Sequence, residues 1–351
     1  MLSALGNNHM RLSEFQYTLG PENIACEPHE VRLGRRDLGR MMIVDRKERR
    51  QSHSYVSSLP DILQPGDVLV LNNSKRIPGV LKARTVAEEA QVEIRFTAVE
   101  SEYVGFGRLY PLHFVRQGAR LHIAGGVTLT LDEINIGEHH LCQISSDAPL
   151  PDILKKAGLP ITSFFYTGYW NLENYNNVFA TEEGSLESPM AGLHFTPELL
   201  KAIEHRGIAI SFITLHVVGS WLPPTSDDAS ECIMAVERYC VPESTAQAVH
   251  KARKRGGRVL ACGTTVVRAL ESAAIEDGTV RAGEDNTSLR ISPGFKFQVV
   301  DMYFTNFHPS RSSLILLDAA FCDFDLLQHS YEVARSSGYL FFEFGDAVLY
   351  A

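Results

Sequence analysis

Arg258–Ile275, RVLACGTTVVRALESAAI, decides the fold class. RVLACG reads as a strand and TVVRALESAAI follows at once as a helix, with Gly263 at the junction. The same alternation runs outward in both directions. Upstream, Thr196-Pro197-Glu198 is a helix start, with Thr196 as N-cap and Pro197 at the first helical position. The helix continues through LLKAIEHR to Gly207, a suitable left-handed cap. IAISFITLHV is then a buried strand, and Pro242 opens a helix that runs through Lys254 and closes at Gly256-Gly257. Downstream, FQVVDMYFTNF reads as a strand and SLILLDAAF as a helix. Strand and helix in alternation predict an α/β sheet that is at least partly parallel.

The chain before this region has a different texture. Up to about Pro65, Met41–Asp45 predicts a strand and Ser57–Leu63 a short helical turn. From Gly66 to Pro151, the stretches DVLVLN, QVEIRFTAV, ARLHIAG, VTLTLDEI and HLCQIS alternate with a period of two, punctuated by Gly and Asp. That pattern predicts antiparallel strands in a small barrel or sandwich. A length of 351 residues fits two structural units better than one core. Met10-Arg11-Leu12-Ser13 looks like a natural start, and the residues before it read as an extension.

Apolar residues make up 44% of the chain and charged residues 21%, which argues against global disorder. The formal net charge is −9. A general nucleic-acid binder needs clustered Lys and Arg, so only a local basic face is compatible with this balance. KARKRGGR, Lys251–Arg258, is the strongest basic run; a solvated helix face is its ordinary reading and a phosphate contact its functional one. Cys26, Cys142, Cys232, Cys240, Cys262 and Cys322 form no C-x-x-C pair, so no zinc knuckle is indicated. Reduced thiols in a cytoplasmic protein are expected. The chain shows no signal-peptide pattern, and Leu314–Leu317 is far too short to cross a bilayer. G-x-G-x-x-G, the P-loop, G-x-S-x-G and H-E-x-x-H are absent, which removes the usual support for dehydrogenase, kinase, α/β-hydrolase and zincin readings.

Ligands of open α/β sheets sit beyond the carboxyl ends of the strands. His216 ends one predicted strand, Gly263, Thr264 and Thr265 follow another, and Asn306, Phe307 and His308 follow a third. Each alone is an ordinary turn or cap, but three strand ends with polar residues are the layout of a site. Gly263 lets backbone approach a ligand, Thr264 or Thr265 is placed to cap the next helix, and a helix start favours an anion. Arg268 could add a fork for a carboxylate, although Glu271, three residues on, makes a surface ion pair the plain alternative. In AGLHFT, Gly192, His194 and Thr196 precede a helix start, a good place for ligand contact. Glu231, Glu237 and the Asp227-Asp228 pair are candidate bases in a loop, against the plainer reading of solvated carboxylates.

Ordered blocks along most of the chain carry a resemblance. RRDLGRMMIVDR is similar to R-D-x-S-R-L-L-V, with Arg36, Asp37 and Arg40 matching; LVLNNSKRIP is similar to L-V-x-N-D-T-R-V-I-P, with Asn72, Ile77 and Pro78 matching. GSLESPMAGLHFT, TLHV, CGTTVVRALESA, SPGFKFQVVDMYFTNFH and GYLFFEFGDAVL have counterparts too. These blocks resemble the S-adenosylmethionine:tRNA ribosyltransferase-isomerase family of queuosine biosynthesis. The resemblance implies a mixed α/β catalytic domain, residues 10–65 and 152–351, with a small antiparallel β-barrel-like domain, 66–151, inserted. It implies that the ribosyl part of S-adenosylmethionine is transferred and rearranged onto 7-aminomethyl-7-deazaguanine in tRNA. The product would be an epoxycyclopentane, epoxyqueuosine, with adenine and methionine released.

Such chemistry needs a base for the protons beside the sulfonium, an acid for the leaving adenine, a held amine and excluded water; it requires no metal. His194, His216 and His308 titrate in the right range, with Glu231 and Glu237 as further candidates. Gly192, Thr196, Gly263, Thr264, Thr265, Arg268, Asn306 and Phe307 are expected to hold the co-substrate. Some loops depart from the family pattern. ECIMAVERY has Cys232 and Ala235 where the family has histidines, HVVGSWLPP has Val218, Ser220 and Trp221 for small turn residues, and Glu187 and Met190 are also changed. A thiolate at Cys232 or Cys262 is a further option for the base, given a depressed pKa. The changed loops also fit a paralogue with a small-molecule acceptor, or an adenosylmethionine-binding protein without catalysis.

Overall fold

Val68–Asn72, VLVLN, is buried along its whole length and lies in the middle of a nine-stranded sheet. The sequence groups it with the small β-rich region, but it lacks the polar alternation of its neighbours there. A strand covered on both faces has to be apolar throughout. The computed structural model describes residues 10–136, 140–162, 168–218, 226–232, 234–275 and 277–351. The expected extension before Met10 and the changed loop residues Ser220 and Trp221 lie outside the described residues.

In chain order the strands are β1 (Arg40–Asp45), β2 (Arg50–Tyr55), β3 (Val68–Asn72), β4 (Ser74–Arg76), β5 (Val80–Thr85), β6 (Gln91–Val99), β7 (Val104–Tyr110), β8 (Arg120–His122) and β9 (Thr128–Ile136). They continue with β10 (Leu141–Ser146), β11 (Glu182–Ser185), β12 (Ala209–Leu215), β13 (Glu237–Val241), β14 (Val259–Cys262), β15 (Gly283–Thr287), β16 (Met302–Asn306) and β17 (Ala347–Tyr350). The helices are α1 (His29–Leu33), α2 (Leu59–Ile62), α3 (Leu150–Ala157), α4 (Pro197–His205), α5 (Glu243–Lys254), α6 (Thr264–Ser272), α7 (Ser313–Cys322) and α8 (Phe324–Ser336). Two compact units result. One draws its residues from Met1–Asn72, Met190–Ile213 and Pro223–Ala351, the other from Asn73–Pro189 and Thr214–Leu222.

The large sheet has the order β15-β13-β12-β3-β14-β16-β17-β1-β2. β12, β3, β14 and β16 run parallel. β17 lies antiparallel to β16, and β1 runs parallel to β17. The carboxyl ends of β3, β14 and β16 therefore share one edge with the amino end of β1. The strand expected over FQVVDMYFTNF is limited to its second half. The N–H groups of Gln298, Val299 and Val300 donate to the Glu271 carboxylate at 2.9–3.1 Å, so they are not available to a ladder.

The second unit is built on a closed barrel of order β10-β7-β6-β5-β8-β9. Here the period of two decides: Leu81, Ile94, Phe96, Leu109, Leu129 and Ile144 point inward into one core, and polar residues alternate with them outside. α3 lays Leu150, Ile153 and Leu154 on that core. β4 and β11 pair in parallel beside it in the same unit.

Asp67, at the entry to β3, ties the sheet to the end of the basic run. Its buried carboxylate accepts from the Arg258 N–H at 2.8 Å, the Arg258 guanidinium at 2.6 Å and the Gln64 N–H at 2.9 Å. Burial raises its pKa, but these bonds from Arg258 and Gln64 together outweigh burial and hold it below the usual value. Its stabilising contribution is thus present above the ordinary Asp range and is lost as pH falls through the depressed folded pKa. Asp67→Asn should lower the unfolding free energy at neutral pH by about 1–3 kcal/mol. In urea titrations the gap from wild type should close in acid; a gap of constant size would contradict the assignment.

Candidate active site

The shared edge of the large sheet gathers three of the predicted motifs. Gly263 is the N-cap of α6 with φ 90° and ψ 156°, a backbone state closed to residues with a Cβ. Its N–H donates to the Phe304 carbonyl at 2.8 Å, and a Cβ built on it would stand 3.4 Å from the Ala191 methyl. The AGLHF turn thus packs directly against the start of α6. Neither threonine caps that helix, contrary to the sequence reading. Thr264 and Thr265 are already helical, and the Thr265 hydroxyl accepts from the Asn72 amide at 3.1 Å, joining the ends of β3 and β14.

Gly192 and His194 lie in a 3-10 turn, Met190–His194, and Thr196 caps α4 as expected, accepting from the Leu199 N–H at 3.1 Å. The Thr196 hydroxyl also donates to Asp37 at 3.2 Å. His194 is fully buried. Its ring meets the edge of Phe304 at 5.5 Å and lies 4.5 Å from the His29 ring, centroid to centroid. Neither ring nitrogen makes a well-aligned hydrogen bond, nor does the Asn306 Oδ1 atom at the end of β16, although the Asn306 amide is close enough to act on the ring. The Asn306 amide nitrogen is committed to the Phe342 carbonyl at 3.0 Å.

Electrostatics keep this cluster neutral. Burial is the main reason that His194 sits well below the ordinary histidine range; nearby His29, Arg32 and Arg36 push the same way, and only the Asn306 amide opposes them. His29 is lowered to about 4, first by burial and then by Arg32. Its Nε2 donates to the Gly345 carbonyl at 2.8 Å, which leaves Nδ1 as the unprotonated nitrogen. Gly39, just before β1, makes room for both rings: a Cβ there would stand 3.3 Å from His29 Cδ2 and 3.5 Å from His194 Nδ1. Nothing local in the chain singles out His29, a lone histidine after a proline. A glycine within the RRDLGR block was the only local hint of close approach.

The remaining candidates lie elsewhere. Successive residues of a strand face opposite sides, so Thr305 points away from Asn306. His308 bonds to Thr305 at 3.2 Å and to the buried Asp318 of α7 at 2.8 Å, on the sheet face away from His194. Phe307 packs among Tyr331, Tyr339 and Phe341. His216 belongs to the barrel unit, where its Nδ1 meets the Ser74 hydroxyl at 2.8 Å. The carboxylate held by Arg268 is the protein's own. Its guanidinium pairs with buried Glu237 and donates to the Leu289 and Thr287 carbonyls, while Glu271 turns to the backbone of residues 298–300. The guanidinium expected to fork a ligand carboxylate is thus engaged inside the protein, and the plain alternative of a surface pair with Glu271 does not form either. Glu231 is exposed on a short turn, Asp227 holds Ser13, and Asp228 caps the turn of Ser230. Burial pushes the thiols of Cys232 and Cys262 upward, the wrong direction for a thiolate. Among the described residues no group of His, Cys, Asp or Glu side chains is arranged to hold a metal ion.

A mainly parallel sheet with crossover helices, a polar edge at its strand ends and a separate closed barrel define an α/β protein with an enzyme-like site. The profile of the family described as Queuosine biosynthesis protein matches residues 12–350. The chain is 36% identical over 344 residues to the S-adenosylmethionine:tRNA ribosyltransferase-isomerase of Moorella thermoacetica, covering 97% of this chain and 99% of that one. It is 39% identical to the protein of the same name from Thermus thermophilus, over 96% and 99% of the two chains. A solved structure of S-adenosylmethionine tRNA ribosyltransferase from Thermotoga maritima matches with a TM-score of 0.54 and 31% identity, over 96% of this chain and all of that one. The chain belongs to the queuosine biosynthesis protein family.

Because Arg268 and Glu237 are both buried, the cost of separating them is structural. Glu237→Ala should reduce stability by about 3–5 kcal/mol, through the charge left unpaired on Arg268. The double change Glu237→Leu with Arg268→Met should cost much less. Equal losses in chemical denaturation would count against a buried structural pair.

Proposed function

We propose that this chain transfers and isomerises the ribosyl group of S-adenosylmethionine onto 7-aminomethyl-7-deazaguanine in tRNA, giving epoxyqueuosine and releasing adenine and methionine. The names of the near full-length relatives support the reaction. The observation that carries the site is His194, fully buried with neither ring nitrogen in a well-aligned hydrogen bond and with the Asn306 amide as its polar neighbour. Buried polar atoms without partners are costly, and they persist where a ligand or a reaction uses them.

In this reading His194 takes a proton from the carbon beside the sulfonium. Being neutral, it can take a proton and has no acidic one to give, although the lowered pKa makes it a weaker base than a free histidine. Asn306 Oδ1 accepts a hydrogen bond from the substrate. The start of α6 at Gly263 favours the methionine carboxylate through its backbone dipoles. His29 and Gly39 set the His194 ring and keep it dry. His308, Arg268 and Glu237 hold the frame. A tRNA acceptor supports a cytoplasmic location for the reaction. Among the described residues no helix is long and apolar enough to cross a membrane.

The test is mass spectrometry of products. Adenine and methionine should form only when tRNA carrying the aminomethyl base is present, together with a mass gain on that base. Release without tRNA, or an unmodified base, overturns the assignment. His194→Ala and Asn306→Ala should each lower kcat/KM by roughly 10²–10⁴. The acid limb of kcat/KM, where activity falls as pH falls, should lie below the ordinary histidine value of about 6.5; a limb at or above that value would remove His194 from the role.

A further inference from the structure

The outer wall of the barrel carries a second feature that the site does not absorb. β7, β6, β5 and β8 are consecutive in the barrel, and their register aligns the outward residues. Lys82 stands opposite Glu93, Arg84 opposite His122, Arg95 opposite Arg108, and Glu93 opposite Tyr110. Arg120 is the next outward residue on β8. Lys82, Arg84, Arg120 and His122 are exposed, and Arg95, Arg108 and Tyr110 are half-buried. Glu93 is the one carboxylate on the outward positions of these strands, and it is already bound by Arg95 at 2.7 Å. The acidic turn Glu88-Glu89 marks the end of the face, where Glu88 pairs with Arg116 at 3.3 Å.

Aromatic rings are set among these cations. The Lys82 ammonium lies 5.9 Å from the centre of the exposed Tyr169 ring, and the Arg95 guanidinium lies 5.7 Å from that of Tyr110. Exposed cations track a phosphate backbone, and flat rings beside them stack on unpaired bases. A cationic face with rings in a chain of net charge −9 is a local departure from the whole.

The basic run at the end of α5 is a weaker competitor. Arg253 is spent on Asp301 and backbone carbonyls, and Arg258 on Asp67. Lys251 and Lys254 lie in the last turn of α5, followed by Arg255, where cations complement the helix dipole.

We propose that the outward face of β5, β6, β7 and β8, with Tyr110 and Tyr169, is the surface on which this protein takes its RNA, with Lys82, Arg84 and Arg120 on phosphates and the rings on exposed bases. The proposal rests on the tRNA reading above.

The experiment is fluorescence anisotropy of labelled tRNA with the full chain, from roughly 50 to 200 mM salt. The triple variant Lys82→Gln, Arg84→Gln, Arg120→Gln should bind at least tenfold more weakly at the low end. Its log affinity against log salt should flatten by about two to three, close to one per cation removed. The comparison triple Lys251→Gln, Lys254→Gln, Arg255→Gln should keep the wild-type slope, and both should bind adenosylmethionine normally. A barrel triple that keeps the wild-type slope overturns the proposal, and does so alone if the wild type still modifies tRNA in the product assay. A wild type that neither binds nor modifies tRNA sinks the proposal and the tRNA reading together. Loss of poly-glutamate binding with tRNA binding intact would assign the face to an acidic protein and refute the RNA surface.

Discussion

The large sheet depends on strands that are covered on both faces. β3, β14 and β16 have no exposed side, so their sequences are nearly continuous apolar runs and their parallel order requires crossovers. One consequence is geometric. All three carboxyl ends arrive at the same edge, and the antiparallel turn of β17 brings the amino end of β1 to that edge too. The Asn72–Thr265 bond, the Gly263–Ala191 contact and the His194–Asn306 neighbourhood all follow from that one arrangement.

The large unit treats its buried polar groups in two ways. Arg268 with Glu237, and His308 and Tyr331 with Asp318 Oδ2, find partners on other elements, while Asp318 Oδ1 has none. Such networks fix one arrangement of the chain. His194 and Asn306 Oδ1 are left open in an equally dry place. Histidine thus stands in two different settings on the two faces of β16.

Much of this was legible along the chain. Thr196 and Pro197 mark the start of α4, Gly207 follows its end with positive φ, and Gly263 stands at the strand–helix junction. These are local preferences that a few neighbouring residues settle. The alternation of the barrel strands was equally plain, because one face is buried and the other wet. The readings that failed involve distant partners. Arg268 pairs across 31 positions with Glu237 and not with Glu271 three residues away. The expected strand over Phe297–Asp301 is cancelled by the same Glu271, and Thr265 joins Asn72 instead of capping its helix.

The sequence alone determined the element types, an at least partly parallel sheet, the β-rich insert and, through its ordered motifs, the family. Each of these is written in short-range periodicity or in blocks of adjacent residues. Only the tertiary structure decided which histidine is left without a well-aligned hydrogen bond, that His29 and Gly39 stand beside it, and that the barrel gathers its cations on one wall. Those facts depend on register and on the sides of strands, which bring together residues far apart in the chain whose meeting no local preference encodes.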